Sequence, residues 1–212
     1  MIDLHIHSVF SDGELIPSEI ARRLSELGYE AFAITDHADF SNMEFIVNSM
    51  LKFKEHADDY GLTMVAGIEL THLPPRLIPR AVKTARKIGA ELVVVHGETL
   101  VEPVRSGTNF VSVQEEIDIL AHPGLVDEKT AEKASENGVF FEITSRRGHC
   151  LTNGHVAKIS QEFGVELVIN TDAHSPSDFI LEKQAVEILK GSGVDDVERA
   201  LKNSSKIVRL YK

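Results

Sequence analysis

Glu91-Leu92-Val93-Val94-Val95-His96-Gly97 is the stretch whose reading decides the fold. A half-exposed strand alternates apolar and polar residues. An unbroken, β-branched apolar run this short reads as a strand covered on both faces, the kind a parallel sheet buries. A histidine ends the run and a glycine follows it. The same pattern repeats outward in both directions. Strands are predicted over Ile2–His7, Ala31–Asp36, Thr63–Glu69, Glu91–His96, Ile117–His122, Val139–Thr144 and Val165–Asp172. Helical spacing fills the intervals. Ile20, Leu24 and Leu27 share a face from about Pro17 to Gly28. Ile46, Met50, Phe53 and Ala57 run on to Gly61, and Ile78, Val82, Ala85 and Ile88 run to Gly89. A short helix is available over Asn109–Glu116, another over Asp127–Asn137, and a third carries Val156, Ile159 and Phe163 up to Gly164. Two more are predicted over 178–190 and 195–203, trailed by an apolar pair, Ile207-Val208. Seven strands alternating with helices imply a parallel sheet. A small, irregular α/β barrel is the first reading. A doubly wound open sheet is the alternative, because alternation alone does not show closure.

The 212 residues are expected to form one domain over 1–212, since no linker or low-complexity segment divides them. The chain is 42% hydrophobic and 26% charged, which excludes a disordered or collagen-like protein. No apolar run approaches the roughly 18 residues of a membrane span. The start, Met1-Ile2-Asp3-Leu4-His5, lacks a signal-peptide pattern, so a cytoplasmic protein is expected. Cys150, the single cysteine, excludes an intramolecular disulfide and reads as a free thiol. The net charge of −11 and the absence of tryptophan argue against long nucleic acid as a partner.

Ten histidines are many for this length, and their placement is informative. His5 and His7 close the first predicted strand, two apart and so on one face. Asp36-His37, Glu69, His96 and His122 end the next four. Glu142 lies near the end of the sixth, and Asp172 and His174 end the seventh. Asp12 follows in the loop after the first strand. A lone histidine at a strand end is usually a hydrogen-bonded structural residue. A ligand-type side chain at every C-terminal strand end is a different matter, because that edge is where parallel α/β folds build their sites. Mixed imidazole and carboxylate donors suit zinc, manganese or iron. His5, His7, Asp12, His37, Glu69, His96, His122, Asp172 and His174 are enough for two to three divalent ions, with Glu69 as the expected bridge. His56, His72 and His155 fall on helices or in loops and read as ordinary.

At this point the chain resembles the PHP family, the polymerase and histidinol phosphatase domain. The resemblance rests on Asp3-Leu4-His5-Ile6-His7, Ser11-Asp12-Gly13, Thr35-Asp36-His37, Gly67-Ile68-Glu69, Val95-His96-Gly97, Ala121-His122-Pro123-Gly124 and Thr171-Asp172-Ala173-His174, in that order. It implies a distorted seven-stranded β/α barrel, a trinuclear metal centre and phosphoesterase activity. Position by position, it implies His5, His7, Glu69 and Asp172 around one ion. Glu69, His96 and His122 surround a second, and Asp12, His37 and His174 a third. Some members carry histidine where this chain has Asp12.

The expected reaction is hydrolysis of a small phosphomonoester by a metal-activated water, in the manner of a histidinol-phosphate phosphatase. Asp36 and Asp3 are expected to orient ligand imidazoles. Arg146 and Arg147, in the loop after the sixth strand, are candidates for phosphate because the guanidinium fork matches phosphate oxygens. His149 in the same loop is a candidate proton donor to the leaving group. Arg105 and Glu98, in the long segment after the fourth strand, are candidate substrate contacts. Glu142 is expected to touch either a substrate amine or a ligand histidine. Two alternatives stand. One is a nucleotide or oligonucleotide phosphoesterase of the same family. The other is an amidohydrolase-type metal hydrolase, which would often place a bridging lysine where this chain has His96. The oligomeric state is left open by the sequence.

Overall fold

The computed structural model describes residues 1–211. Its strands are β1 (Ile2–Asp3), β2 (Ala31–Ile34), β3 (His37–Ala38), β4 (Thr63–Leu70), β5 (Leu92–His96), β6 (Ile119–Ala121), β7 (Phe140–Thr144) and β8 (Leu167–Asn170). Its α-helices are α1 (Pro17–Glu26), α2 (Met43–Lys54), α3 (Ile78–Ile88), α4 (Thr108–Ser112), α5 (Glu128–Asn137), α6 (Asn153–Phe163), α7 (Glu182–Gly191) and α8 (Val197–Leu210). All pairings are parallel, in the order β1-β2-β4-β5-β6-β7-β8, with the short β3 joined to the end of β4. An isolated parallel bridge between Ile6 and Ala173 brings the first strand region beside the last. The result is a nearly closed seven-stranded barrel, so the open-sheet alternative gives way.

Two apolar clusters define its layers. Phe32, Ile34, Ile68, Val93, Val95, Leu120 and Phe141 face outward and pack on helix residues such as Ile20, Met50, Val82 and Ala134. The alternate residues Ala31, Ala33, Val65, Leu92, Val94, Ile119 and Val168 form a separate inner cluster. This is the pleat's period of two, with both faces buried. Among the described residues, the only helix residues in the inner cluster are Ile207 and Val208 of α8. The pair read from the sequence as an apolar tail is therefore the last turns of a helix that plugs the barrel at its N-terminal end. The helix is pinned there by Asn203 Nδ2, which donates to Leu167 O at 2.8 Å, and by Tyr211 OH, which donates to Asp118 Oδ1 at 3.2 Å. Ile207→Ala leaves a cavity inside the barrel and is expected to destabilise the fold by about 2–4 kcal/mol. Urea unfolding measures it, and an unchanged midpoint would remove the plug from the account.

The first strand differs from its sequence reading. Leu4 packs in the inner cluster but Ile6 in the outer one, although strict alternation would place both on the same side. The chain changes phase between them, which is why β1 is only two residues long. The backbone at the break is satisfied by side chains. Leu4 N donates to Asn170 Oδ1 at 2.9 Å and His5 N to Asp3 Oδ1 at 3.2 Å. The phase change turns His5 and His7 inward, above the apolar floor. Smaller differences lie in the connections. The second predicted strand splits into β2 and β3, and Ala57–Tyr60 forms a separate 3-10 turn after α2. The helix after β5 is the single turn α4, and α7 starts at Glu182 after a 3-10 turn over Pro176–Asp178.

Candidate metal centre

The C-terminal mouth of the barrel collects every strand-end ligand candidate. His5, His7, Glu69, His96, His122 and Asp172 are all buried, and Asp12, His37 and His174 lie at the rim. In one group, His5 Nε2 is 3.4 Å from Glu69 Oε1 and 3.6 Å from Asp172 Oδ1, and His7 Nε2 is 3.2 Å from Asp172 Oδ1. In a second, His96, His122 and His149 turn ring nitrogens toward one another, and His122 Nε2 is 3.7 Å from Glu69 Oε1. In a third, Asp12 Oδ1 is 3.2 Å from His174 Nε2 and Asp12 Oδ2 is 3.5 Å from His37 Nε2, with His7 close by. Glu69 connects them: Oε1 faces His5 and His122, while Oε2 lies 2.6 Å from His37 Nδ1.

The residues fit a metal centre. His5 Nε2, both ring nitrogens of His7, His122 Nδ1, His149 Nδ1 and Glu69 Oε1 are buried and lack a hydrogen-bond partner among the described residues. Leaving so many polar atoms unpaired would cost about 1–3 kcal/mol each, which a shared cation removes. Ring orientation points the same way. His5 Nδ1 donates to Glu142 Oε2 at 2.7 Å, His96 Nδ1 to the Gly97 carbonyl at 3.1 Å and His174 Nδ1 to the Asp172 carbonyl at 2.9 Å. Each bond fixes the tautomer that leaves Nε2 free as a ligand.

The electrostatics divide the donors: Glu69, Asp172, His7 and His122 are held in their ligating forms, while the neighbouring carboxylates raise His5, His37 and His96 toward the protonated form that a metal ion would have to displace. Burial pushes the Glu69 carboxyl up, but the charges of His37, His5 and His96 override it and hold Glu69 well below the usual carboxylate range. Asp172 is likewise held low against its burial, by His5 and His7. Burial, aided by the charge of His37, lowers His7 to about 4, so its imidazole is neutral. Burial and the charge of His96 push His122 well down too. His37 moves the other way. Burial would lower it, but Glu69 and Asp12 raise it to about 10.

Several sequence expectations are corrected by position. Asp36 does not touch an imidazole. It accepts from Ser8 N at 2.7 Å, Ser8 Oγ at 2.6 Å and Ser11 Oγ at 2.6 Å, and so fastens the loop that carries Asp12. Asp3 accepts from His5 N and from Thr171 N and Oγ1, tying the two ligand-bearing strand ends together. Desolvation there raises its carboxyl to about 7. Glu142 is fully buried behind His5 and also accepts from Asn170 Nδ2 at 3.0 Å, so its contact is with a candidate ligand histidine and its carboxylate does not reach the open mouth. Arg146 pairs with Asp178 at 3.3 Å, whose Oδ2 also accepts from His174 N, which leaves Arg146 beside the third group. Arg147 and Arg105 are exposed and make no side-chain hydrogen bond or ion pair among the described residues. Glu98 braces its own loop, accepting from Gly107 N and Asn109 N. Two residues stand at the site without having been expected there. Glu102 reaches His72, His96 and His149 from the segment after β5, and His72 meets it from the end of β4. No spacing marks either one, because both sit in irregular chain.

The PHP domain family matches residues 3–185. The chain belongs to the PHP domain family. An uncharacterized protein of Methanocaldococcus jannaschii is 51% identical over 199 residues, covering 92% of this chain and 91% of its own. A probable phosphatase of Acetivibrio thermocellus is 25% identical over 201 residues, covering 82% of this chain and 79% of its own. Among solved structures, a chain of an archaeal ribonuclease P bound to mature tRNA superposes with a TM-score of 0.74 at 19% identity, over 98% of this chain and 90% of that one. The histidinol phosphate phosphatase of Lactococcus lactis, solved with zinc, L-histidinol and phosphate, gives 0.65 at 15% identity, over 91% and 94%. At these identities both structures show the shared fold. No helix among the described residues is long and apolar enough to cross a membrane.

Proposed function

We propose that this PHP-domain chain is a metal-dependent phosphomonoesterase acting on a small phosphorylated metabolite in the cytoplasm. One observation carries the reading: a complete ring of imidazoles and carboxylates, with buried unpaired nitrogen and oxygen atoms, lines the C-terminal mouth of the barrel. Two to three divalent ions, zinc, manganese or iron, would supply Lewis acidity toward phosphate oxygens and a water acidic enough to attack at neutral pH. The protein's own part is positional. His5, His7, Glu69 and Asp172 form the inner group, His96 and His122 the second, and Asp12, His37 and His174 the outer one. Glu69 holds them in register. Glu142 and the backbone carbonyls of Gly97 and Asp172 keep the rings from turning. Arg146 borders the outer group and is the guanidinium best placed to meet a phosphate, by exchanging Asp178 for it. The A. thermocellus and L. lactis proteins named above favour a phosphomonoester.

The test is release of inorganic phosphate by the metal-reconstituted protein, with histidinol phosphate, an aryl phosphate, nucleotides and a single-stranded oligonucleotide side by side. The small monoesters are expected to be hydrolysed and the oligonucleotide left intact. Preferred cleavage of the oligonucleotide would replace the reading with the nuclease alternative. No release from any ester with zinc, manganese or iron would end it.

A further inference from the structure

Glu102 stands outside the ligand set that the family resemblance implies, yet it makes close polar contacts at the mouth. Its Oε1 is 3.2 Å from His149 Nε2, and its Oε2 is 3.1 Å from His96 Nε2 and 2.9 Å from His72 Nε2. His96, His122 and His149 themselves converge, each offering a ring nitrogen within 4.8 Å of the others. Donors on one tetrahedral zinc, with bonds of about 2.0–2.1 Å, stand roughly 3.3 Å apart. The Glu102 contacts match that spacing.

Two further observations point to a ligand here. His149 is 92% buried, and its Nδ1, the ring nitrogen that does not meet Glu102, has no hydrogen-bond partner among the described residues and faces Asp172 Oδ2 at 3.9 Å. His72, His122 and Asp172 are the only non-glycine residues with positive φ among the described residues, at 53°, 27° and 52°. Left-handed backbone at a side-chain-bearing residue costs on the order of 1 kcal/mol and persists where the surroundings demand it. Two of the three are candidate ligands already. The third is the residue that meets Glu102.

The segment that carries Glu102 is firmly docked. Glu98 N donates to Asn109 Oδ1 at 2.9 Å, and Asn109 Nδ2 donates to the Pro123 carbonyl at 2.7 Å. Gly124 makes this approach possible, since a Cβ there would collide with the Glu98 carbonyl. The loop of Glu102 is thereby fixed to the loop that follows His122.

We infer that Glu102 and His149 are ligands of the same ion as His96 and His122, and that His72 positions Glu102. The inference rests on the site being a polynuclear metal centre. It replaces the expectation that His149 is a free proton donor. Three imidazoles, Glu69 and Glu102 would supply the donors for that ion. Glu102 is the donor on irregular chain, with its side chain 36% exposed. It would therefore be the ligand most open to replacement by a substrate oxygen.

The test is zinc affinity, measured on the full chain by competition with a chromophoric chelator, with circular dichroism to confirm folding. In Glu102→Gln and in His149→Ala, one equivalent is expected to bind at least about 10–100-fold more weakly, with the others unchanged. His72→Ala should give a smaller loss, largely restored in His72→Gln, which keeps a donor toward Glu102. Glu102→Gln changes a part-exposed side chain and so reports even if His149→Ala fails to fold. If Glu102→Gln and every folded His149 variant bind all equivalents as tightly as the parent, the assignment is overturned and the phosphatase reading stands. A parent that binds zinc as expected but hydrolyses no ester would leave the assignment standing and remove the phosphatase reading. A parent that binds no zinc would overturn both.

Discussion

Glu69→Gln is expected to lower phosphate release by about a thousandfold and to empty at least one metal position. Glu69 is the last residue but one of β4, where the inner parity of Val65 and Gly67 turns its side chain into the barrel. It is fully buried and faces four imidazoles, those of His5, His7, His37 and His122. Glutamine preserves the shape but removes the charge and turns one oxygen into a donor that cannot ligate. Lewis-acid stabilisation by a bound ion is worth several kcal/mol, and about 4 kcal/mol corresponds to roughly a thousandfold in rate. Glu142→Gln is the informative contrast. It changes the shared partner of His5 Nδ1 and Asn170 Nδ2, one layer behind the site, and such orienting groups cost about 10–100-fold. Initial rates and metal content measured on both proteins decide the matter. A Glu69→Gln protein with parental rate would place the chemistry elsewhere.

The strand ends that carry the candidate ligands were legible because the strands are buried on both faces. In Leu92–Val95 nothing polar is tolerated, so His96 stands out where the run ends, and Asp172 follows the run Leu167–Ile169 after two further polar residues. The same logic exposed His5 and His7, although their inward direction depends on a break in β1 that no periodicity reveals. What the sequence could not carry was pairing across distance. Asp36 sits beside a ligand in the chain but spends its carboxylate on Ser8 and Ser11, 28 and 25 residues away. Glu98 and Glu102 lie in the same loop, four residues apart. Only the docking of that loop onto Asn109 and Pro123 sends the second one, and not the first, into the site. The second half of the C-terminal helix, beyond residue 203, was hidden for a related reason. Its buried face includes Asn203 and Ser204, which interrupt the apolar stripe that would have marked it.

Removing metal is expected to lower the melting temperature by about 5–10 °C for each ion lost from a well-saturated site. Glu69 and Asp172 are buried beside neutral imidazoles, and their charge is compensated in part by protonated His37 and His5. That compensation is incomplete, as the unpaired atoms of His5, His7, His122 and Glu69 show. An ion that binds the folded state alone stabilises it by about 2.7 kcal/mol at a free concentration of a hundred times its Kd. For a chain of this size about 1 kcal/mol moves the midpoint by roughly 2–4 °C. Thermal scans with excess chelator and with graded zinc or manganese should therefore diverge, the midpoint rising with the logarithm of free metal. Calcium and magnesium separate this from a general effect of divalent charge. They favour all-oxygen shells, whereas each group here is rich in imidazole, so they should raise the midpoint far less at equal concentration. Equal midpoints with chelator and with saturating zinc would mean that the ring of donors is satisfied within the protein itself. In that case Glu102, already bonded to His72, His96 and His149, would be acting as a permanent plug and not as an exchangeable ligand.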